Sequence, residues 1–291
     1  MTVAASPGVS LATLLRLGRV SNLPTVWTNV LAGTVLAGGE WRGGRTGLVV
    51  TAMSLFYVGG MYLNDYFDRA VDARERPTRP IPAGEISAAA GAAAGAALLA
   101  CAVALMATAG TTAAATGVLL ALFIVGYDAH HKEVAWAPLV MGACRACVYC
   151  GAAAAAAGTI SADVLFPALA CGAYVAGITY AASRESTDSI GRLWPLLLLA
   201  APLLPAAAAL VQGATASVFY AGLLLWSACA VYLLLKRPRA GAVSRAVAWL
   251  IAGISLVDAA FLAAAGAIGA ACWAIAGFAA TLGLHKKIAG T

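Results

Sequence analysis

The sequence predicts an all-α integral membrane protein, a polytopic bundle of nine or ten transmembrane helices. Its composition is the first observation, since 62% of its 291 residues are hydrophobic and 10% are charged, against about 25% charged residues in a soluble domain. The mean hydropathy of +0.88 is the second. Third, the apolar residues form long continuous runs rather than the alternating pattern of a membrane barrel. These observations argue against a soluble enzyme, a nucleic-acid-binding protein and a disordered chain.

The individual spans follow from the lengths of the apolar runs. A membrane helix needs about 20 apolar residues, because a rise of about 1.5 Å per residue must cross about 30 Å. Gly110 separates the third run from the fourth, and the last two runs meet near Gly266. The sequence therefore allows either nine or ten transmembrane spans. We expect residues 1–291 to form a single integral membrane domain. The predicted segments are 20–39, 47–64, 88–108, 111–127, 137–157, 162–182, 192–212, 215–235, 245–265 and 267–284.

The basic residues are distributed unevenly between the two predicted faces of the membrane. With ten spans, fifteen of the 18 lysines and arginines fall in loops on the side of the N-terminus, and only Arg42 and Arg45 fall in loops on the opposite side. Positively charged loops stay in the cytoplasm, so we expect both termini to be cytoplasmic, in a plasma (cell inner) membrane. Most carboxylates fall on the same face, in the stretches 64–86, 127–136 and 183–192.

Three side chains at the end of the second span form the clearest chemical pattern. Asn64, Asp68 and Asp72 stand four residues apart, so on a helix they lie on one face, about one turn above each other. Such oxygen ligands suit Mg²⁺, which usually keeps some waters and takes substrate phosphate as a further ligand. Carboxylates at membrane depth need a cation or a base. The alternative is a solvated helix end stabilised by nearby arginines.

Basic residues follow this acidic helix end and recur further along the chain. Arg74 and Arg79 belong to a loop stiffened by prolines, which together with the carboxylates would cradle a metal diphosphate. Lys132 is a compact charge at the edge of a span, suited to a phosphate or to anchoring that span at the membrane surface. Arg145 lies inside an apolar run, where an unpaired arginine has a high free energy. We expect it to contact the substrate or its diphosphate, with a purely structural ion pair as the alternative, whereas Asp258 is expected to make a structural polar contact with another helix.

The run NDYFDRAVDARERPTRPIPAGEIS resembles the first signature of the UbiA superfamily of intramembrane prenyltransferases, an NDxxDxxxD helix end followed by an (R)PxRPIPxG loop. The run LGRVSNLPTVWTNVLAG, with Arg19 and Asn22, resembles the first span of that family. The run YDAHHKEVAWAPLVMGACRACVYCGA, with Tyr127, Lys132 and Arg145, resembles its fourth-to-fifth-span region. The resemblance covers most of residues 15–265 and implies that these five side chains bind substrate.

The second signature of the family is an aspartate-rich DxxxD-like repeat, and here the corresponding run is TYAASRESTDSIGR. It offers Glu185 and Asp188, three residues apart, with Arg184 beside them. This shortened motif resembles that of the EboC-like bacterial branch. The resemblance implies that Glu185 and Asp188 are metal ligands and that Arg184 and Asp188 contact substrate. A second Mg²⁺, an ion pair between Glu185 and Arg184, and an ordinary solvated loop are all open.

The resemblance, together with the acidic helix end and the basic loop, implies a Mg²⁺-dependent prenyltransferase that moves an isoprenyl group from a prenyl diphosphate to an aromatic or other small acceptor and releases pyrophosphate. Asn64, Asp68, Asp72 and Glu185 are the expected catalytic residues. The carbocation must be kept from water, so we expect a central apolar cavity that opens to the cytoplasmic side. The expected partners are the donor, an unidentified acceptor and membrane lipid, with no nucleic acid. A transferase acting on a lipid phosphate, of glycosyl or phosphoribosyl type, and a transporter or accessory protein are the alternatives.

Overall fold

The computed structural model describes residues 9–132, 134–183, 192–205, 213–237 and 240–288. Within these ranges the chain forms ten α-helices, and two 3₁₀ segments, Val20–Asn22 and Trp194–Leu203, lie between them. The α-helices are α1 (Leu11–Leu17), α2 (Leu23–Leu36), α3 (Gly44–Glu75), α4 (Ala88–Thr108), α5 (Thr111–His130), α6 (Ala137–Ala157), α7 (Ala162–Ala182), α8 (Ala214–Lys236), α9 (Ala242–Ala264) and α10 (Ile268–His285).

The predicted helical membrane bundle is confirmed, and the chain is an integral multi-pass membrane protein. In the described residues, α3 to α10 are eight helices long and apolar enough to cross a membrane. Two predicted spans correspond to shorter elements. The run 20–39 contains α2, whose 14 residues cover about 21 Å. The run 192–212 begins with the ten-residue segment Trp194–Leu203, and residues 206–212 lie outside the described ranges.

Two glycines with positive φ separate neighbouring helices that the sequence leaves almost continuous. Gly110, with φ of 132°, lies between α4 and α5, and Gly266, with φ of 75°, lies between α9 and α10. Residues with a Cβ rarely adopt such backbone conformations, whereas glycine does so readily. The last two apolar runs are therefore two separate helices.

Helix α3 is longer than the span predicted for it. It covers 32 residues, and it ends at Glu75 because Pro77 disfavours a helical conformation in the residue before it. The run NDYFDRAVD is thus the C-terminal part of the same helix that crosses the membrane. After the proline-containing loop, Ser87 caps α4 by accepting a hydrogen bond from the Ala90 amide at 3.1 Å.

Helices α2 and α6 lie between two hydrophobic cores. One core is built mainly by α7 to α10, and the other by α3, α4 and α5. Both receive side chains from α2 and α6, as Leu31 and Val30 illustrate for the two cores. Small residues allow the close approach of α6 to α7, since a Cβ on Gly142 would lie 2.4 Å from the Gly172 carbonyl oxygen. Polar side chains on α2 and α6 therefore lie in the middle of the bundle.

Candidate active site

Four polar side chains near the C-terminus of α3 are buried. Asn64, Asp65, Asp68 and Asp72, here called the acidic end of α3, are 7%, 3%, 8% and 4% exposed. Buried carboxylates are costly unless they are paired and hydrogen-bonded. The basic groups that meet them come from three separate parts of the chain, which therefore converge at this end of the bundle.

Arg19 contacts the acidic end of α3 from the segment between α1 and α2. Its Nη2 donates to Asp65 Oδ1 at 2.8 Å and to Asn64 Oδ1 at 3.1 Å. The backbone of Arg19 is left-handed, with φ of 42°, and this bend turns the chain from α1 into α2. Burial by itself lowers the pKa of Arg19, but Asp65, together with smaller contributions from Tyr57 and Asp72, outweighs it, so the net pKa is raised. Arg19 is thus a fixed positive charge.

Arg79 contacts the acidic end of α3 from the proline-containing loop. Its Nη1 lies 2.7 Å from Asp72 Oδ2 and 3.3 Å from Asp65 Oδ1. Burial and the neighbouring Arg19 guanidinium lower the pKa of Arg79 against the attraction of these two carboxylates. An arginine pKa starts so high that the group stays protonated. Asp65 therefore lies between two guanidinium groups.

The third group of bases follows α5. The Nζ of Lys132 lies 2.6 Å from Asp68 Oδ1, and the Nε2 of His131 lies 3.5 Å from the same oxygen. Burial by itself lowers the pKa of His131, but the hydrogen bond and charge of Asp68 prevail and raise it. The ring of Tyr127 stacks on that of His131, with centroids 4.9 Å apart. The stacking fixes the imidazole beside Asp68.

Asp128 is a buried carboxylate on α5 whose two oxygens differ in their contacts. Its Oδ1 accepts a hydrogen bond from Asn64 Nδ2 at 3.1 Å. Its Oδ2 is buried and has no hydrogen-bond partner among the described residues. Asn64 thus uses its amide oxygen toward Arg19 and its amide nitrogen toward Asp128, which fixes the orientation of its side chain.

An apolar cavity begins beside Asp128 and extends into the bundle between α2, α3, α5 and α6. It contains about 580 Å³ of empty volume, part of it open to solvent. Its wall contains five ionisable side chains, which are Tyr57, Tyr127, Asp128, Cys144 and Arg145. The other lining residues are Val26, Met53, Phe56, Gly60, Met61, Leu120, Ile124, Met141 and Val148. A hydrocarbon chain could lie in this cavity with its polar end toward the acidic end of α3.

The structure brings most of the sequence-predicted site residues together. Beyond those already placed, Arg145 lines the cavity, and Asn22 Nδ2 donates to the Tyr57 hydroxyl at 3.1 Å. Arg74 is an exception, because it is exposed in the last turn of α3 and has no hydrogen bond or ion pair within the described ranges. Arg184, Glu185 and Asp188 lie outside the described residues.

Sequence reasoning assigned no role to Asp65 or Asp128. Asp65 lies next to Asn64, off the four-residue spacing, so the pattern gave no reason to select it. The available signal was Arg19, a base that needs a carboxylate partner at this depth. Asp128 adjoins Tyr127, and nothing in its own run indicates that it meets Asn64, which lies 64 residues earlier.

The acidic end of α3 offers the right donor chemistry for a hard cation. Carboxylate and amide oxygens are the ligands that Mg²⁺ prefers, and they are fixed on one rigid helix. Within the described residues, no three histidine, cysteine, aspartate or glutamate side chains are grouped closely enough to hold a metal. Basic groups pair with Asp65, Asp68 and Asp72 in this state.

Comparisons with known proteins identify relatives of this chain. The model of the UbiA prenyltransferase family matches residues 25–240, which is more than half of the chain. Digeranylgeranylglyceryl phosphate synthase of Methanothrix thermoacetophila is 42% identical over 79 residues, covering 27% of this chain and 30% of that protein. The protein of the same name from Methanopyrus kandleri is 38% identical over 73 residues, covering 25% of this chain and 27% of that protein. These matches span less than a third of each curated relative.

Solved structures share the fold along most of the chain. One, from work on digeranylgeranylglyceryl phosphate synthase in membranes, has a TM-score of 0.62 at 22% identity and covers 89% of this chain and 99% of that chain. A UbiA homologue from Archaeoglobus fulgidus bound to GPP and Mg²⁺ has a TM-score of 0.54 at 12% identity, and the match covers 88% of this chain and 99% of that chain. At these identities the likeness concerns the fold alone.

Proposed function

Because the chain belongs to the UbiA prenyltransferase family, we propose that it is a Mg²⁺-dependent intramembrane prenyltransferase. It would move an isoprenyl group from a prenyl diphosphate to a small acceptor and release pyrophosphate. One observation carries this proposal: buried carboxylates and bases converge at the mouth of an apolar cavity. A diphosphate with a hydrocarbon tail matches that combination of charge and apolar volume.

The acidic end of α3 and its bases would bind the head of the donor. Asn64, Asp68 and Asp72 supply the oxygens that fit Mg²⁺, with Glu185 and Asp188 predicted as further ligands. When bound, the metal neutralises charge on the leaving diphosphate. Arg79 and Lys132, which pair with Asp72 and Asp68, would contact phosphate oxygens of the bound donor. Arg74 and Arg184 remain predicted contacts.

The cavity would protect the reacting carbon. Its wall is largely apolar, so it can hold the isoprenyl chain and exclude water, which otherwise would quench an allylic cation. Tyr57 and Tyr127 place aromatic rings in that wall, and aromatic faces stabilise a nearby cation. The fixed bases stabilise negative charge as it develops on the leaving group, which is where electrostatic catalysis is most effective.

The donor and the cellular setting follow from the relatives and from the charge distribution. The Archaeoglobus fulgidus homologue was solved with GPP and also with DMAPP, each with Mg²⁺, which supports an allylic diphosphate as donor here. The fifteen-to-two distribution of basic residues supports an orientation with the N-terminus and the site on the cytoplasmic side. The membrane concerned would be the plasma (cell inner) membrane.

The variant Asp68→Ala tests this proposal. Purified protein would be incubated with labelled DMAPP or GPP, a membrane extract as source of acceptor, and Mg²⁺, and pyrophosphate and the lipid product would be measured. We expect Asp68→Ala or EDTA to abolish turnover. The partners of Asp68 include Lys132, which is 41% exposed and can be solvated, so the variant should still fold.

The matched control is Asp163→Ala, an exposed aspartate in the first turn of α7, which should keep full activity. Full activity of Asp68→Ala together with indifference to EDTA would contradict the role of the metal. A product carrying a sugar or phosphoribosyl group, without transfer of the label from the donor, would contradict prenyl transfer.

A further inference from the structure

Arg145 is a cation inside the bundle that has no carboxylate at ion-pair distance within the described residues. It is the ninth residue of α6, about 12 Å along the helix axis from its start, and its side chain lines the cavity. Only its Nη1 makes hydrogen bonds within the described ranges, at 2.8 Å to Asn29 Oδ1 and 3.4 Å to Thr25 Oγ1. A guanidinium has five N–H donors, so most of them are available to a ligand.

Behind Arg145 lies a fully buried network that joins α2, α6 and α9. Both carboxylate oxygens of Asp258 lie 2.8 Å from Asn29 Nδ2. The Tyr149 hydroxyl also donates to Asp258 Oδ1. Asp258, Asn29 and Tyr149 are each 0% exposed. Within the described residues no base lies within 4 Å of Asp258, so hydrogen bonds rather than a close ion pair contribute most to stabilising its charge.

The network fixes the direction of the Asn29 amide. Its nitrogen faces the Asp258 carboxylate and its oxygen faces the Arg145 guanidinium. The flipped amide would bring two donors together at Arg145 and two acceptors together at Asp258, and both contacts would be repulsive. Asp258 therefore keeps the Asn29 amide oxygen in place as the acceptor for Arg145 Nη1.

We infer that Arg145 binds an anionic group of the acceptor, and that Asp258 is a positioning residue that acts on Arg145 through Asn29. This inference rests on the proposed prenyl transfer, because it assigns the second substrate of that reaction. The isoprenyl chain of the donor is uncharged and gains nothing from a guanidinium, and the diphosphate is held at the acidic end of α3. A cation within an apolar wall selects an amphiphile that carries a carboxylate or a phosphate.

Binding of defined probes tests the inference without the natural acceptor. Purified protein would first be saturated with Mg²⁺ and pyrophosphate, so that the donor site is filled. Decyl phosphate, decanoate and decanol would then be titrated by calorimetry in detergent. We expect at least one of the two anions to bind at least tenfold more tightly than decanol. The anion that binds better distinguishes a phosphate-bearing from a carboxylate-bearing acceptor.

Variants then separate binding from positioning. Arg145→Met should lose the preference for the anion over decanol, and Arg145→Lys should restore part of it. Asp258→Asn should weaken anion binding about tenfold and leave decanol binding and Mg²⁺–pyrophosphate binding unchanged. Tyr149→Phe, which keeps the ring and removes one hydrogen bond to Asp258, should weaken anion binding severalfold. Its control is Tyr174→Phe, because Tyr174 is equally buried but donates to the Leu250 carbonyl.

The outcomes distinguish this inference from the proposed function. An unchanged anion preference in Arg145→Met overturns the role of Arg145 even if prenyl transfer is measured. Equal effects of Tyr149→Phe and Tyr174→Phe overturn the positioning role, and this comparison decides the matter if Asp258→Asn does not fold. Failure of the protein to bind Mg²⁺–pyrophosphate or to release it from a prenyl diphosphate overturns the proposed function instead.

Discussion

Replacing Asp65 by asparagine should destabilise the protein more than any other single loss of charge at the acidic end of α3. Asp65 is 3% exposed and lies between Arg19 at 2.8 Å and Arg79 at 3.3 Å. The substitution keeps the shape of the side chain and removes its charge. The side chains of Arg19 and Arg79 are only 16% and 12% exposed, so water cannot fully solvate the two guanidinium groups that remain.

The expected magnitude follows from these distances. At an effective dielectric constant of about 20, unit charges 2.8 Å apart attract by about 6 kcal/mol, and desolvation cancels much of this gain. Removal of one partner leaves the desolvation cost uncompensated, which typically costs about 3–5 kcal/mol. Arg79 keeps its contact with Asp72, so we expect the lower end, about 3 kcal/mol.

Thermal unfolding in detergent measures this loss. At about 2–4 °C per kcal/mol, Asp65→Asn should lower Tm by about 6–12 °C. The matched control, Asp163→Asn, removes an exposed charge at the start of α7 and should cost less than about 1 kcal/mol. A Tm within about 2 °C of the unsubstituted protein would show that Asp65 does not balance the two arginines, and the electrostatic account of this site would fail.

Three further predictions concern other parts of the chain. Glu185→Ala should reduce turnover much more than Asp188→Ala, and equal mild effects in the prenyl transfer assay would mean that the second motif holds no metal. Gly142→Ala should destabilise the bundle by about 1–3 kcal/mol by forcing α6 away from α7, whereas Gly222→Ala, with nothing within 4 Å, should be neutral or slightly stabilising in the same thermal assay. The Arg16 and Thr13 hydrogen bonds lower the pKa of Glu85, so their stabilisation is complete above the ordinary glutamate pKa and is lost as the pH falls through the lowered value. Hydrogen-exchange protection factors across α1, corrected for the intrinsic exchange rate at each pH, should fall there, and unchanged protection would mean that this contact does not hold α1.

The sequence predicts the parts of the fold that depend on local pattern. Runs of about 20 apolar residues locate eight long helices, and the four-residue spacing places Asn64, Asp68 and Asp72 together on α3. The brevity of α2 is not visible in its composition, because the apolar run 20–39 continues past both of its ends. Before α2 the chain forms the 3₁₀ segment Val20–Asn22, and after it the chain turns at Gly38, whose φ is 75°.

The partners of the charged groups depend on packing between distant segments. Asp65 meets Arg19 across 46 residues, and Asp258 meets Asn29 across 229. No periodicity carries such information, since each residue in these pairs would fit its own segment equally well with another partner. Asp258 was expected to make a structural polar contact with another helix, and its bonds to Asn29 and Tyr149 are of that kind.

The length of α3 has a consequence for how the two products would leave. Asn64 is the twenty-first residue of the helix, so the twenty residues before it already cover about 30 Å, the thickness of the hydrocarbon layer. By this length the acidic end of α3 lies at the boundary between the hydrocarbon layer and water. Pyrophosphate would diffuse into bulk water without crossing lipid. The hydrophobic prenylated product would instead diffuse laterally into the acyl chains of the bilayer.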